Sequence, residues 1–174
     1  SLNPLAHIDP IGFIMLLFAG FGWGKPVNVN PRNYNRDITV EKADAIVSIA
    51  GPAMNIILAI LFTIIYCIIY KTCGLLIVTN RILSIIMQMI MYTITLNIGL
   101  GIFNLIPLPP LDGSKVIKPF LTYNAKTWFE NNERIFYILF VILWITGIAG
   151  TIISPIINIV FKGIFNLAQI IFRV

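Results

Sequence analysis

From Ala45 to Tyr70 the chain carries no charged side chain, and the same holds from Ile82 to Leu111. A stretch of that length is long enough to cross a bilayer, whose core takes roughly 20 residues of helix. With 58% hydrophobic and 11% charged residues and a mean hydropathy of +0.91, the chain is an integral membrane protein; a soluble domain holds about 25% charged residues. The expected fold is an all-α polytopic membrane protein. It is a bundle of about three to five transmembrane or re-entrant helices, with a short membrane-associated strand region near the N-terminus and one membrane domain over residues 1–174.

The second apolar run ends in Asn104-Leu105-Ile106-Pro107-Leu108-Pro109-Pro110-Leu111-Asp112-Gly113. Three prolines supply no backbone N–H, so no regular helix passes through them, and the residues before Pro107 and Pro109 are driven out of the α region. The pattern predicts an unwound, extended segment at membrane depth, with Asn104 at one end and Asp112 at the other. Irregular backbone at that depth is tolerated only inside protein or along a wet cavity. An ionisable residue there is a functional candidate because its burial is costly. The plainer alternative is a helix ending at the interface, with Asp112 a solvated turn residue.

Ile11 to Trp23 is apolar but spans only about 20 Å as helix, which predicts a re-entrant or partly inserted element, or a span that borrows its neighbours. Residues 25–40 form a polar loop in which Val27 and Val29 alternate with Asn28 and Asn30, the period of an exposed strand. In the first span Gly51 and Asn55 share a helical face beside Pro52, which suits close packing and interhelical hydrogen bonds. A short loop over 71–81 leads to the second span, where Asn97, Gly101 and Asn104 make one polar, small-residue face. A third span is predicted over Ile135 to Ile153, with a last helix opening at Pro155. That helix carries Asn158, Lys162, Asn166, Gln169 and Arg173 as a stripe. Lys162 at mid-bilayer costs about 3 kcal/mol, so the helix is expected to lie in the interface or to turn its stripe to a polar interior. Cys67 and Cys73 read as reduced bystanders, and His7 as an interfacial hydrogen-bonding residue.

Loops 25–44 and 113–134 hold Lys25, Arg32, Arg36, Lys42, Lys115, Lys118, Lys126 and Arg134, against Lys71 and Arg81 on the other side. The excess predicts that 25–44 and 113–134 are cytoplasmic. The net charge of +5 therefore reflects orientation in the bilayer and not nucleic-acid binding.

Four stretches taken in order resemble the site-2 protease family of intramembrane zinc metalloproteases, in its compact bacterial form. They are Asn3 to Gly12, Gly22 to Pro31, Ala50 to Asn55, and Asn104 to Gly113. The resemblance covers most of residues 1–115 and implies a bacterial plasma-membrane enzyme that cleaves transmembrane protein substrates. It implies that Asp112 is a zinc ligand and that Asn104 stands near the scissile carbonyl, where an amide stabilises a developing oxyanion. Gly51, Pro52, Asn55, Pro107, Pro109 and Gly113 are then substrate-binding or structural positions. The family takes its other two zinc ligands and its base from an H-E-x-x-H helix, and this sequence has no such motif and one histidine, His7. The resemblance puts that helix upstream of Ser1, so residues 1–174 alone are expected neither to hold zinc tightly nor to cleave peptides. Two alternatives remain open: a catalytically inactive relative that binds transmembrane partners, and an ion-coupled transporter using Asp112 as its carrier carboxylate.

Overall fold

A computed structural model describes residues 4–19, 24–25 and 29–173. The chain divides into two units, Ser1–Arg36 and Asp37–Val174. In the first, a 3-10 turn over Pro4–His7 precedes helix α1, Pro10–Ala19. Asp9 starts α1: its Oδ1 accepts from the N–H groups of Ile11 and Gly12 at 2.9 and 3.0 Å, and Pro10 follows with the φ that a first helical turn requires. At about 15 Å, α1 is too short to span. The expected strand region is reduced to one antiparallel bridge, Ile8 with Gly24, in which Lys25 N–H donates to the His7 carbonyl at 2.8 Å. Val27 and Asn28 lie outside the described residues, and no β-strand occurs among those described.

The second unit is helical: α2 Val40–Thr79, α3 Arg81–Asn104, α4 Asp112–Ile117, α5 Tyr123–Asn131, α6 Glu133–Ile145 and α7 Ile148–Phe172. The loop expected over 71–81 is a single residue. The helix continues past Lys71, with non-helical φ/ψ at Cys73 marking a kink, and Asn80 both ends α2 and starts α3. Its N–H donates back to Leu76, and its Oδ1 accepts from Ile82 and Leu83. One residue thus serves both ends, and α2 and α3 pack as an antiparallel hairpin. Ala59, Ile94 and Ile98 are fully buried at their contact, and α7 adds Ile157, Val160, Phe161, Ile164 and Phe165. Lipid supplies little hydrophobic drive between helices, so close van der Waals fit must hold them. Gly101 provides it: a Cβ there would stand 3.1 Å from the Ile56 side chain and 3.2 Å from the Pro52 carbonyl. Gly51, by contrast, has open space around it.

The third span differs from the expected one. α6 has 13 residues, about 20 Å, and ends at Thr146-Gly147, where Gly147 takes φ +74°. Glycine in the left-handed conformation just past a helix is a standard stop. The chain then runs in helix from Ile148 through Pro155 to Phe172, so Pro155 lies inside this helix instead of opening it. Helices α2, α3 and α7 are the three long and apolar enough to cross a membrane among the described residues.

The depth of α7 follows from its contacts. Ile157 lies against Gly99, in the part of α3 that packs near Ile56. The Lys71 ammonium donates to the Phe172 carbonyl at 2.7 Å. Ile56 to Lys71 and Ile157 to Phe172 cover the same rise, about 22 Å. Helix α7 therefore runs alongside the hairpin and does not lie across its end. At the opposite end Lys126 of α5 pairs with Glu41 of α2, and Phe103 packs on Phe140 and Trp144 of α6 with ring centroids 5.8 and 5.2 Å apart.

Candidate functional site

Helix α3 stops at Asn104, and residues 105–111 fold into a tight loop instead of the extended segment expected. The reason is the supply of donors. Only Leu105, Ile106, Leu108 and Leu111 have an N–H in this stretch, and each spends it locally. They donate to Ile102, Phe103, Ile106 and Leu108 at 3.2, 3.1, 2.8 and 2.9 Å. The bond from Leu111 to Leu108 closes a turn over Pro109-Pro110, whose peptide bond is cis. The carbonyls of Pro107, Pro109 and Pro110 accept no hydrogen bond among the described residues. The loop therefore presents acceptors and no donors.

The loop closes on itself at Gly113. A Cβ at this glycine would stand 2.3 Å from the carbonyl oxygens of both Leu105 and Ile106, so only glycine lets the start of α4 reach the end of α3. Ser114, buried, locks the turn: its N–H and Oγ both donate to the Leu111 carbonyl, at 3.1 and 2.7 Å. This serine was missed in the sequence, where the only available signal was a small polar residue directly after Asp-Gly. The closure sets the chain next to Asn104 against the chain next to Asp112, eight positions on. Both residues are half-buried, and neither side chain has a hydrogen-bond partner among the described residues. Asp112 is the first residue of α4, and its carboxylate is the only acidic group in the loop.

Of the other candidates, Pro52 and Pro109 are buried and Pro107 is exposed. Pro52 gives its carbonyl to the Gly101 contact. Asn55 is half-buried on α2, but the amides of Asn55 and Asn104 are not brought together. Pairing of Gly101 with Pro52 puts them on opposite sides of that contact, about 9 Å apart along the helix axes. Beside the loop, a groove of about 400 Å³ is lined by Pro109, Pro110, Glu133, Arg134, Tyr137 and Ile138.

A catalytic zinc centre needs three protein ligands and one open position. No group of three or more His, Cys, Asp or Glu side chains occurs among the described residues. The donor set at the loop is one carboxylate, Asp112, which amounts to one ligand of such a centre and not to a centre.

The profile of peptidase family M50 matches residues 69–147, a range that includes α3, the proline loop and α4 to α6. The chain is also similar to "Putative zinc metalloprotease YwhC" of Bacillus subtilis (strain 168), with 34% identity over 174 residues, covering 99% of this chain and 77% of that protein. No solved structure matches.

Proposed function

The chain belongs to peptidase family M50, the site-2 protease family, and from that membership we propose that it is an intramembrane zinc metalloprotease cleaving transmembrane segments of membrane proteins. Asp112 is the zinc ligand that residues 1–174 contribute. The observation that carries the reading is the closed neck: Gly113 seated on the carbonyls of Leu105 and Ile106, with an unpartnered amide and an unpartnered carboxylate next to these residues in the chain. A carboxylate held half-buried without a donor has no structural task in the fold, and its desolvation is a cost that ligation offsets.

The chain's own groups suggest how a substrate is held. A helix that enters the site must unwind before its amide carbon is accessible, and unwinding frees its N–H groups. In a bilayer each unpaired N–H is expensive. The free carbonyls at the exposed Pro107 and Pro110 receive those N–H groups, in the manner of a strand added to an edge, while the loop offers no donor that would compete. The Asn104 carboxamide can donate to the oxygen on which charge develops. We place the protein in the bacterial cell membrane, with loops 25–44 and 113–134 in the cytoplasm, the orientation that their excess of Lys and Arg favours.

The test compares the full-length protein with its Asp112→Ala variant in liposomes containing a transmembrane substrate, reading cleavage and bound zinc together. The native protein is expected to bind zinc and cleave, and Asp112→Ala to lose both while inserting normally. Cleavage that survives the substitution removes Asp112 from the site. A native protein that binds the substrate helix but neither zinc nor cleavage products is the inactive relative instead.

A further inference from the structure

We infer that α7 carries a docking face for a partner transmembrane helix that bears a carboxylate near its middle. This inference does not depend on proteolysis. At 100° per residue, Thr151, Asn158, Lys162, Asn166, Gln169 and Arg173 fall within an arc of about 80° along the whole helix. All six are exposed, because the opposite face of α7 is the one packed on Ala59, Ile94 and Ile98. Pro155 lies in the same arc and has no N–H to give to the Thr151 carbonyl, which leaves a further acceptor on this side. At its far end the stripe opens into a cavity of about 280 Å³, where Gln169 meets Tyr66, Cys67, Tyr70 and Phe165.

The alignment of α7 with α2 decides the depth. Lys162 is five residues beyond Ile157 and ten before Phe172, so its backbone stands within the apolar depth of the bundle and not at an end. Exposed to lipid, this cation and the amides above and below it would be without partners, a costly arrangement in hydrocarbon. The unit supplies no counter-charge, since no Asp or Glu occurs between Ala45 and Leu111 or after Glu133. A second copy of residues 1–174 brings another Lys162 to the contact and, for the same reason, no carboxylate at this depth. Charge complementarity therefore points to a different helix, one with an Asp or Glu at this depth and small or amide residues a turn away on either side.

The experiment uses the full-length protein in liposomes with fluorescent Leu/Ala host helices of 24 residues carrying Asp, Asn or Leu at the centre, and reads energy transfer. The Asp helix is expected to associate about tenfold more tightly than the Leu helix, the scale of one good interhelical polar contact. Lys162→Met is expected to remove the difference, and Lys162→Glu to transfer the preference to a host helix with central Lys. Because Lys162 is exposed, both variants should keep the native melting temperature. Equal binding of the Asp and Leu helices overturns the proposal, and so does a preference that persists in Lys162→Met. An Asn helix that binds as well as the Asp helix shows an amide-reading face and also overturns it. Transfer between two labelled copies, lost in Lys162→Met, would assign the face to self-association.

Discussion

At Gly113 a hydrogen is all that fits. Two carbonyl oxygens stand 2.3 Å from where a Cβ would be, and both belong to the main chain, so neither can turn aside. Gly113→Ala must open the neck between α3 and α4. The expected cost is at or above the roughly 3 kcal/mol top of the usual overpacking range, read as a lowered melting temperature in detergent. The proposed catalytic function should fall with it, since the chain next to Asn104 and the chain next to Asp112 would separate. An alanine variant of native stability would show that the loop does not close as described. The requirement was half legible in the sequence: three prolines announce a break, and a glycine after Asp112 marks a tight approach. What it approaches was not legible, because contact between residues 105 and 113 depends on turns chosen by where the few N–H groups find acceptors.

At the scale of helices, the two glycines of the α2–α3 pair separate what sequence patterns merge. Gly51 and Gly101 look alike as small residues in apolar runs, yet only Gly101 meets the neighbouring helix. Gly101→Leu is expected to cost about 1–3 kcal/mol by forcing α2 and α3 apart, whereas Gly51→Leu should stay within about 0.5 kcal/mol. Thermal unfolding of both variants checks the contrast, and an equal loss from each would mean that Gly51 is also packed. The hairpin itself was readable from its two uncharged runs, and α1 from its shortness. The division between α6 and α7 was not. Pro155 is the louder breaker in the sequence, but a bilayer helix tolerates proline where its freed carbonyl finds another partner. Gly147, sitting inside an apolar run, carried the real stop through its left-handed conformation.

For the molecule as a whole, three spans set which ends share a side. The pairing of Lys126 with Glu41 and the bond from Lys71 to Phe172 mark opposite ends of the bundle, so Tyr123 belongs to one end and Thr79 and Arg173 to the other. Single cysteines at these three positions, in a background without Cys67 and Cys73, should report this in intact cells. An impermeant maleimide is expected to label Thr79→Cys and Arg173→Cys and to spare Tyr123→Cys, if the basic end faces the cytoplasm as proposed. Labelling of Tyr123→Cys together with protection of the other two reverses the orientation. Protection of Arg173→Cys alone means that α7 does not cross.

The proline loop has one more consequence, for solubility of contacts rather than for catalysis. An exposed strand edge ordinarily invites a copy of itself, because each edge offers both donors and acceptors. Here the N–H groups of Leu105, Ile106, Leu108 and Leu111 are all engaged within the chain, and the prolines have none. Two such loops facing each other would set carbonyl against carbonyl. The rim can be completed by a foreign backbone that brings its own N–H groups, but it cannot pair with its twin.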